Sequence, residues 1–175
     1  MHRILEIILE QYAQSSGGRH GLSHWARVLE NGRLIAASND AKLEVVELFA
    51  IFHDSKRVTE TRDLDHGFRG AEFAVALRSE YLTLSDYDFD LLYYACSHHT
   101  DGLTEADITV QTCWDSDRLD LGRANIKPVP EKLCTDLAKD IKTIEWAHKR
   151  SCDGFEPLLM KEEWGFFSSK KQSLA

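Results

Sequence analysis

Apolar residues in this chain recur every three to four positions almost without interruption up to residue 150, and no alternating run is long enough for a sheet. That period restricts the chain to helices packed on helices. Leu5, Ile8, Leu9 and Tyr12 make the stripe of a first helix, which stops before Gly17-Gly18. Ser23 is placed to cap a second, HWARVLENGRLIAA, and Asn39 or Asp40 to cap a third, AKLEVVELFAIFHD. A fourth is expected over 66–80, and Ser85 with Asp88 reads as a variant capping box for a fifth, FDLLYYACSHH. A sixth covers roughly 105–121. Pro130 is well placed as the first residue of a seventh, EKLCTDLAKDIKTIEWAHKR. The tail aromatics Phe155, Trp164, Phe166 and Phe167 are expected to pack back on the bundle or to form a homodimer contact. The fold class implied is all-α, a compact helical bundle in one domain over 1–175.

With 175 residues and 43% apolar content the chain can build a proper core without covalent staples. Its cysteines, at 96, 113, 134 and 152, include no CxxC pair and are expected to be reduced thiols. Net charge is −8, which argues against a duplex nucleic acid partner and leaves small anionic substrates open. The opening MHRILEIILEQ carries Glu6 and Glu10 at helical spacing, an amphipathic helix rather than a signal peptide. No window approaches the ~18–20 apolar residues of a membrane span. A cytoplasmic location with no membrane partner is expected.

Six of the eight histidines fall between residues 20 and 99. Helical position sorts them. His53 follows Val46 and Phe49 by seven and four residues, on the inward stripe; His24 precedes Val28 and Ile35, with Arg27 on the same flank. His66 precedes Gly70, Phe73 and Leu77. His98 follows Leu91, Tyr94 and Ala95, and His99 follows Leu92 and Ala95. In the sixth helix Asp117 shares a face with Val110, Cys113 and Trp114, while Asp115 is turned away. Asp54 adjoins His53 near a helix end. A lone histidine on an apolar face is ordinarily a core residue bonded to a carbonyl. Several buried ionisable groups together are explained at once by one shared cation. Imidazole with carboxylate and no thiolate at ligand spacing points to manganese, iron, cobalt, nickel or zinc, with magnesium also open.

The ordered set His24, His53-Asp54 and Asp117 resembles the HD-domain superfamily of metal-dependent phosphohydrolases. HWARV resembles the H-x-x-R-V opening of that superfamily's small bacterial branch, FHDSKR its HD-x-x-[KR] helix end, and DSDRLD its D-A-D-R-L-D stretch. The likeness covers roughly residues 20–125, with a helix and aromatic tail over 130–175 outside it. It implies His24, His53, Asp54 and Asp117 as ligands to one divalent ion. In two-ion members Asp54 would bridge, and His66, His98 and His99 would serve the second ion. In one-ion members His66 and His98 would instead meet phosphate. HHTDGLTEAD resembles the HD-GYP phosphodiesterases superficially, but no Gly-Tyr-Pro follows, and Ser55-Lys56-Arg57 replaces Ile-Gly-Lys.

The activity implied is hydrolysis of a small phosphorylated substrate, a phosphomonoester or phosphodiester and foremost a nucleotide, by water that the metal activates. Asp54 takes part directly. Arg27 is expected to grip phosphate, followed by Lys56 and Arg57, and Asp115 either orients a ligand or faces water. The alternatives are a di-iron oxygenase on the same fold, or a helical domain that binds a ligand through this cluster without catalysis.

Overall fold

The computed structural model describes residues 2–166. Six helices carry its larger core: α1 (His2–Glu10), α2 (Leu22–Ala36), α3 (Leu43–Phe52), α4 (His66–Tyr81), α5 (Asp86–His98) and α6 (Ile108–Arg118). Two short 3-10 turns follow, Leu121–Ala124 and Pro130–Lys132, then α7 (Asp136–Lys139), α8 (Ile141–Cys152) and α9 (Leu159–Glu162). No strand occurs among the described residues. No helix among those residues is long and apolar enough to cross a membrane. The described cysteines are free thiols.

The centre of the molecule is α3, which packs against α2, α5 and α6. Val45, Val46, Leu48, Phe49, Ala50, Ile51 and Phe52 are all buried, and Glu47 turns outward to pair with Arg33, so from Leu48 onward α3 is apolar on every side. The chain therefore leaves α3 inside the protein, and His53 and Asp54 emerge there rather than at the surface. Helices α4 and α5 lie along each other. A smaller cluster of Ile35, Leu119, Leu133, Ala138, Ile144 and Ala147 seats the C-terminal helices.

Several boundaries differ from the sequence expectation. Helix α2 starts two residues earlier than a Ser23 cap requires, with Gly21 at the N-cap. A Cβ at Gly21 would lie 2.2 Å from the Ser16 carbonyl oxygen, which excludes a larger cap there. Asn39 accepts from the Ala41 amide just before α3 rather than capping it. Ser85 does cap α5, accepting from the Asp88 amide at 3.1 Å. Helix α6 is shorter than expected and is capped by Asp107, which accepts from the Thr109 amide.

The expected seventh helix is broken in three. Asp115, from α6, accepts from the amides of Cys134 and Thr135 at 2.9 and 2.7 Å, taking donors that a continuous helix would use internally. Asp140 then caps α8 through the Lys142 amide. In the tail, Trp164 is buried and Phe166 packs on the core, Phe155 is partly exposed beneath Arg150, and Phe167 lies outside the described residues.

Candidate metal centre

Five helix ends meet at one buried point. His24 comes from the first turn of α2, His53 and Asp54 from the end of α3, and His66 opens α4. His99 closes α5, and Asp117 lies in the last turn of α6. All six are buried. Two glycines let α4 come close enough. A Cβ at Gly70 would lie 2.4 Å from the Phe52 carbonyl oxygen, and one at Gly67 would lie 2.4 Å from that of Cys96 and 2.8 Å from His99 Nδ1. Backbone cannot yield at such distances, so glycine is what brings His66 alongside Asp54 and His99.

Each imidazole is held from behind. His53 Nδ1 bonds the Phe49 carbonyl at 3.1 Å, His99 Nδ1 that of Cys96 at 2.7 Å, and His66 Nδ1 that of Asp63. His24 Nδ1 bonds Asp120 Oδ2 at 2.7 Å. Carbonyl and carboxylate oxygens only accept, so each Nδ1 carries the hydrogen and each Nε2 turns a lone pair inward. Those nitrogens face one another with no hydrogen between them: His24 to His53 at 3.1 Å, His66 to His99 at 2.9 Å. Asp117 Oδ1 stands 3.5 Å from His24 Nε2 and 3.9 Å from His53 Nε2.

Asp54 serves both halves. Its Oδ2 lies 3.5 Å from His24 Nε2 and 3.6 Å from His53 Nε2, while Oδ1 lies 3.0 Å from His66 Nε2 and 3.9 Å from His99 Nε2. Oδ2 finds no hydrogen-bond donor among the described residues. A buried carboxylate oxygen facing lone pairs needs a cation. His24, His53 and Asp117 form one group able to hold a metal ion, and Asp54, His66 and His99 a second.

Electrostatics agree. Burial pushes His53 down to about 3 and lowers His99, so both are neutral ligands at physiological pH. Burial opposes ionisation of Asp54, but its imidazole neighbours, His53 foremost, hold its carboxyl well below the usual range. At Asp117 burial is likewise outweighed, chiefly by Arg123, and the carboxyl stays ionised. Neutral imidazoles with ionised carboxylates and no thiolate suit a divalent ion.

The centre opens into a cleft of about 420 Å³ whose walls include Arg57, Arg62, Arg118 and Arg123. Arg57 is fixed there: Nη1 donates to His66 Nε2 at 2.9 Å and to Asp54 Oδ1 at 3.3 Å, and Nε and Nη2 hold the carbonyls of Thr59 and Thr61.

Three residues expected at the site are elsewhere. Arg27 is spent on Asp120, through Nε at 2.6 Å and Nη2 at 3.0 Å, and on the Phe155 carbonyl through Nη1. It braces the carboxylate behind His24, and each of its three nitrogens is already engaged away from the cluster. Lys56 donates to Gln11 at 2.7 Å and lies over the Phe73 ring, in a different groove. His98 keeps a side chain 40% exposed and bonds Asp101 at 2.7 Å. Consecutive helical residues point about 100° apart, so His98 and His99 cannot both face the core. The buried stripe is Leu92, Ala95 and His99, and the half-exposed Tyr94 marks the other as the outer one. Asp115 does neither thing expected of it: it is buried and anchors residues 134–135.

Sequence reasoning missed Asp120, Arg123 and His20. Asp120 had a signal, three residues after Asp117, and His20 had one, four residues before His24. Arg123 sits in a 3-10 turn outside any stripe. Its Nη2 donates to Asp117 Oδ1 at 3.3 Å, and Nε and Nη1 have no hydrogen-bond partner among the described residues. His20 lines the cleft, with Nδ1 bonded to Glu60 at 2.7 Å.

The fold is similar to that of a solved structure, the crystal structure of a predicted HD superfamily hydrolase from an uncultured Thermotogales bacterium. The two share 27% identity and a TM-score of 0.67, over 94% of this chain and 93% of that one. No protein-family model and no curated protein matches the chain. The chain has the fold of an HD-domain hydrolase, and its buried His/Asp cluster is consistent with a metal site of that type.

Proposed function

From that HD-type fold we propose that the chain is a metal-dependent phosphohydrolase acting on a phosphomonoester or phosphodiester, with a nucleotide as the favoured substrate class. The observation that carries the reading is the set of four imidazoles, each bonded at Nδ1 to an acceptor and each turning the lone pair of Nε2 toward the two oxygens of Asp54 or toward Asp117. Divalent ions held by these ligands would supply Lewis acidity, acidifying water and offsetting charge on phosphoryl oxygens.

The other tasks fall to the chain. Asp120 and Arg27 keep His24 Nε2 aimed at the centre. Arg123 replaces Arg27 as the phosphate-binding cation of this reading: Nε and Nη1 lack hydrogen-bond partners among the described residues, Nη1 standing 4.0 Å from Asp120 Oδ2, and phosphoryl oxygens are the acceptors a buried guanidinium pairs with best. Burial lowers the pKa of His20, and with Nδ1 on Glu60 its Nε2 is free to take a proton at the cleft wall. A cleft of about 420 Å³ suits a small molecule, and Leu64 and Leu121 give it apolar walls for a sugar or base.

The test is metal content by mass spectrometry on protein purified without chelator, wild type beside Asp54→Ala, followed by a panel of phosphoesters. About one or two transition-metal ions per chain, lost in the variant together with turnover, support the reading. Absence of both metal uptake and turnover in wild type, even after reconstitution with manganese, defeats it.

A further inference from the structure

The two halves of the cluster are not equivalent, and the difference lies in Arg57. At the first half an arginine touches only a carboxylate: Arg123 Nη2 reaches Asp117 Oδ1 at 3.3 Å. A carboxylate oxygen has two lone pairs, so it can accept from an arginine and still bind an ion. Among the described residues no donor reaches the Nε2 of His24 or of His53; their neighbours there are each other, Asp54 and Asp117. At the second half, Arg57 Nη1 donates straight to His66 Nε2 at 2.9 Å and reaches Asp54 Oδ1 at 3.3 Å. An imidazole Nε2 has a single lone pair, which binds either a hydrogen or a metal.

Arg57 is no stray surface side chain. Its residue is 8% exposed, and its other nitrogens are tied to the carbonyls of Thr59 and Thr61 at 3.1 and 2.8 Å. The loop after α3 thus holds a guanidinium against the second ligand group. We infer that Arg57 is a built-in competitor for the second ion: the His24, His53, Asp54 and Asp117 half binds a divalent cation outright, and the Asp54, His66 and His99 half binds one only after displacing Arg57 from His66. The inference rests on the cluster being a metal centre and is independent of the substrate.

Chelator-stripped protein titrated with manganese, followed by calorimetry and by electron paramagnetic resonance, tests it without an activity assay. Wild type should take up one ion tightly and a second at least tenfold more weakly. Arg57→Gln should bring the second affinity to within a few-fold of the first, with spin-coupled manganese at two equivalents, and Arg57→Lys should fall between. Should Arg57→Gln fail to fold, His99→Ala decides, because it should abolish the weak step and leave the tight one. Two equal steps in wild type would overturn the inference while the metal centre stands. An unchanged gap in Arg57→Gln, or loss of the tight step in His99→Ala, would overturn it as well. Wild type that binds no ion would remove the metal centre and the inference with it.

Discussion

Asp120 Oδ2 accepts the Nδ1 hydrogen of His24 at 2.7 Å, and the same carboxylate takes two donors from Arg27. A carboxylate behind a ligating imidazole fixes its tautomer and raises its basicity, and losing one costs about 10–100-fold in metal affinity. Asp120→Asn should therefore weaken the first ion by that factor, because an amide offers one acceptor oxygen where three N–H groups now converge. Competition against a chromophoric chelator measures it. An unchanged affinity would show that packing alone aims His24.

Asp54 is the only cluster residue that faces both halves, with Oδ2 toward His24 and Oδ1 toward His66. Asp54→Ala should reduce bound metal to background and abolish any phosphoester turnover. Its far-ultraviolet circular dichroism should stay that of wild type, since Asp54 follows the last turn of α3 and carries none of the helix's internal bonds. A variant that lost helix content along with metal would make Asp54 a folding residue instead.

Gly67 faces the Cys96 carbonyl so closely that a Cβ would come within 2.4 Å of it. Gly67→Ala must push α4 away from α5, moving His66 off His99. Overpacking of this kind costs about 1–3 kcal/mol, which at this chain length lowers the melting temperature by several degrees. The second ion should weaken with it. If melting temperature and metal binding both stay as in wild type, α4 and α5 have slack that the structure does not display.

Stripped of metal, the centre should be acid-sensitive. His53 titrates at about 6.5 when unfolded and is pushed down to about 3 by burial in the fold. Between those values the unfolded chain binds a proton that the folded chain refuses. Stability must then fall as pH drops below about 6.5, by about 1.4 kcal/mol per pH unit for this residue, until the folded pKa is reached. Burial lowers His99 as well, which steepens the slope. The ionised Asp54 and Asp117 add losses only below the ordinary carboxylate range, as the pH falls toward their depressed folded values. Ions on the Nε2 atoms compete with protons, so manganese should shift the loss to lower pH. Urea unfolding at pH 7, 6 and 5, with and without manganese, reads both effects. A flat profile in the stripped protein would mean that His53 charges in place.

The sequence announced what depends on period and left out what depends on distant partners. Val46, Phe49 and His53 share a helical face whatever lies opposite, so the inward aim of His53 is visible in α3 alone. Period fails where adjacent residues sit at a helix end: His98 and His99 each continue an apolar series, and only packing against α4 selects His99. Arg27 looked available because its captor, Asp120, lies 93 residues further on. Arg123 could not be found by period at all, because a 3-10 turn places it. The break in the expected seventh helix has the same origin, a single long-range carboxylate.

That carboxylate gives the sharpest comparison, since Asp115 and Asp117 are two residues apart on α6 with opposite duties. Asp115 accepts from the amides of Cys134 and Thr135 and from the Thr135 hydroxyl, at 2.7 to 3.0 Å, and bonds nothing in the cluster. Replacing one of its oxygens by an amide nitrogen sets donor against donor in a buried place, which costs about 1–3 kcal/mol. Asp115→Asn should lower the melting temperature by about 2–12 °C at this chain length and leave metal stoichiometry unchanged. Asp117→Asn should do the reverse, losing the first ion while the stripped protein melts close to wild type, because the remaining oxygen can still accept from Arg123. Thermal melts of stripped and manganese-loaded samples separate the two. Metal loss in Asp115→Asn would mean that the strap at residues 134–135, and not the helix face alone, sets the position of Asp117.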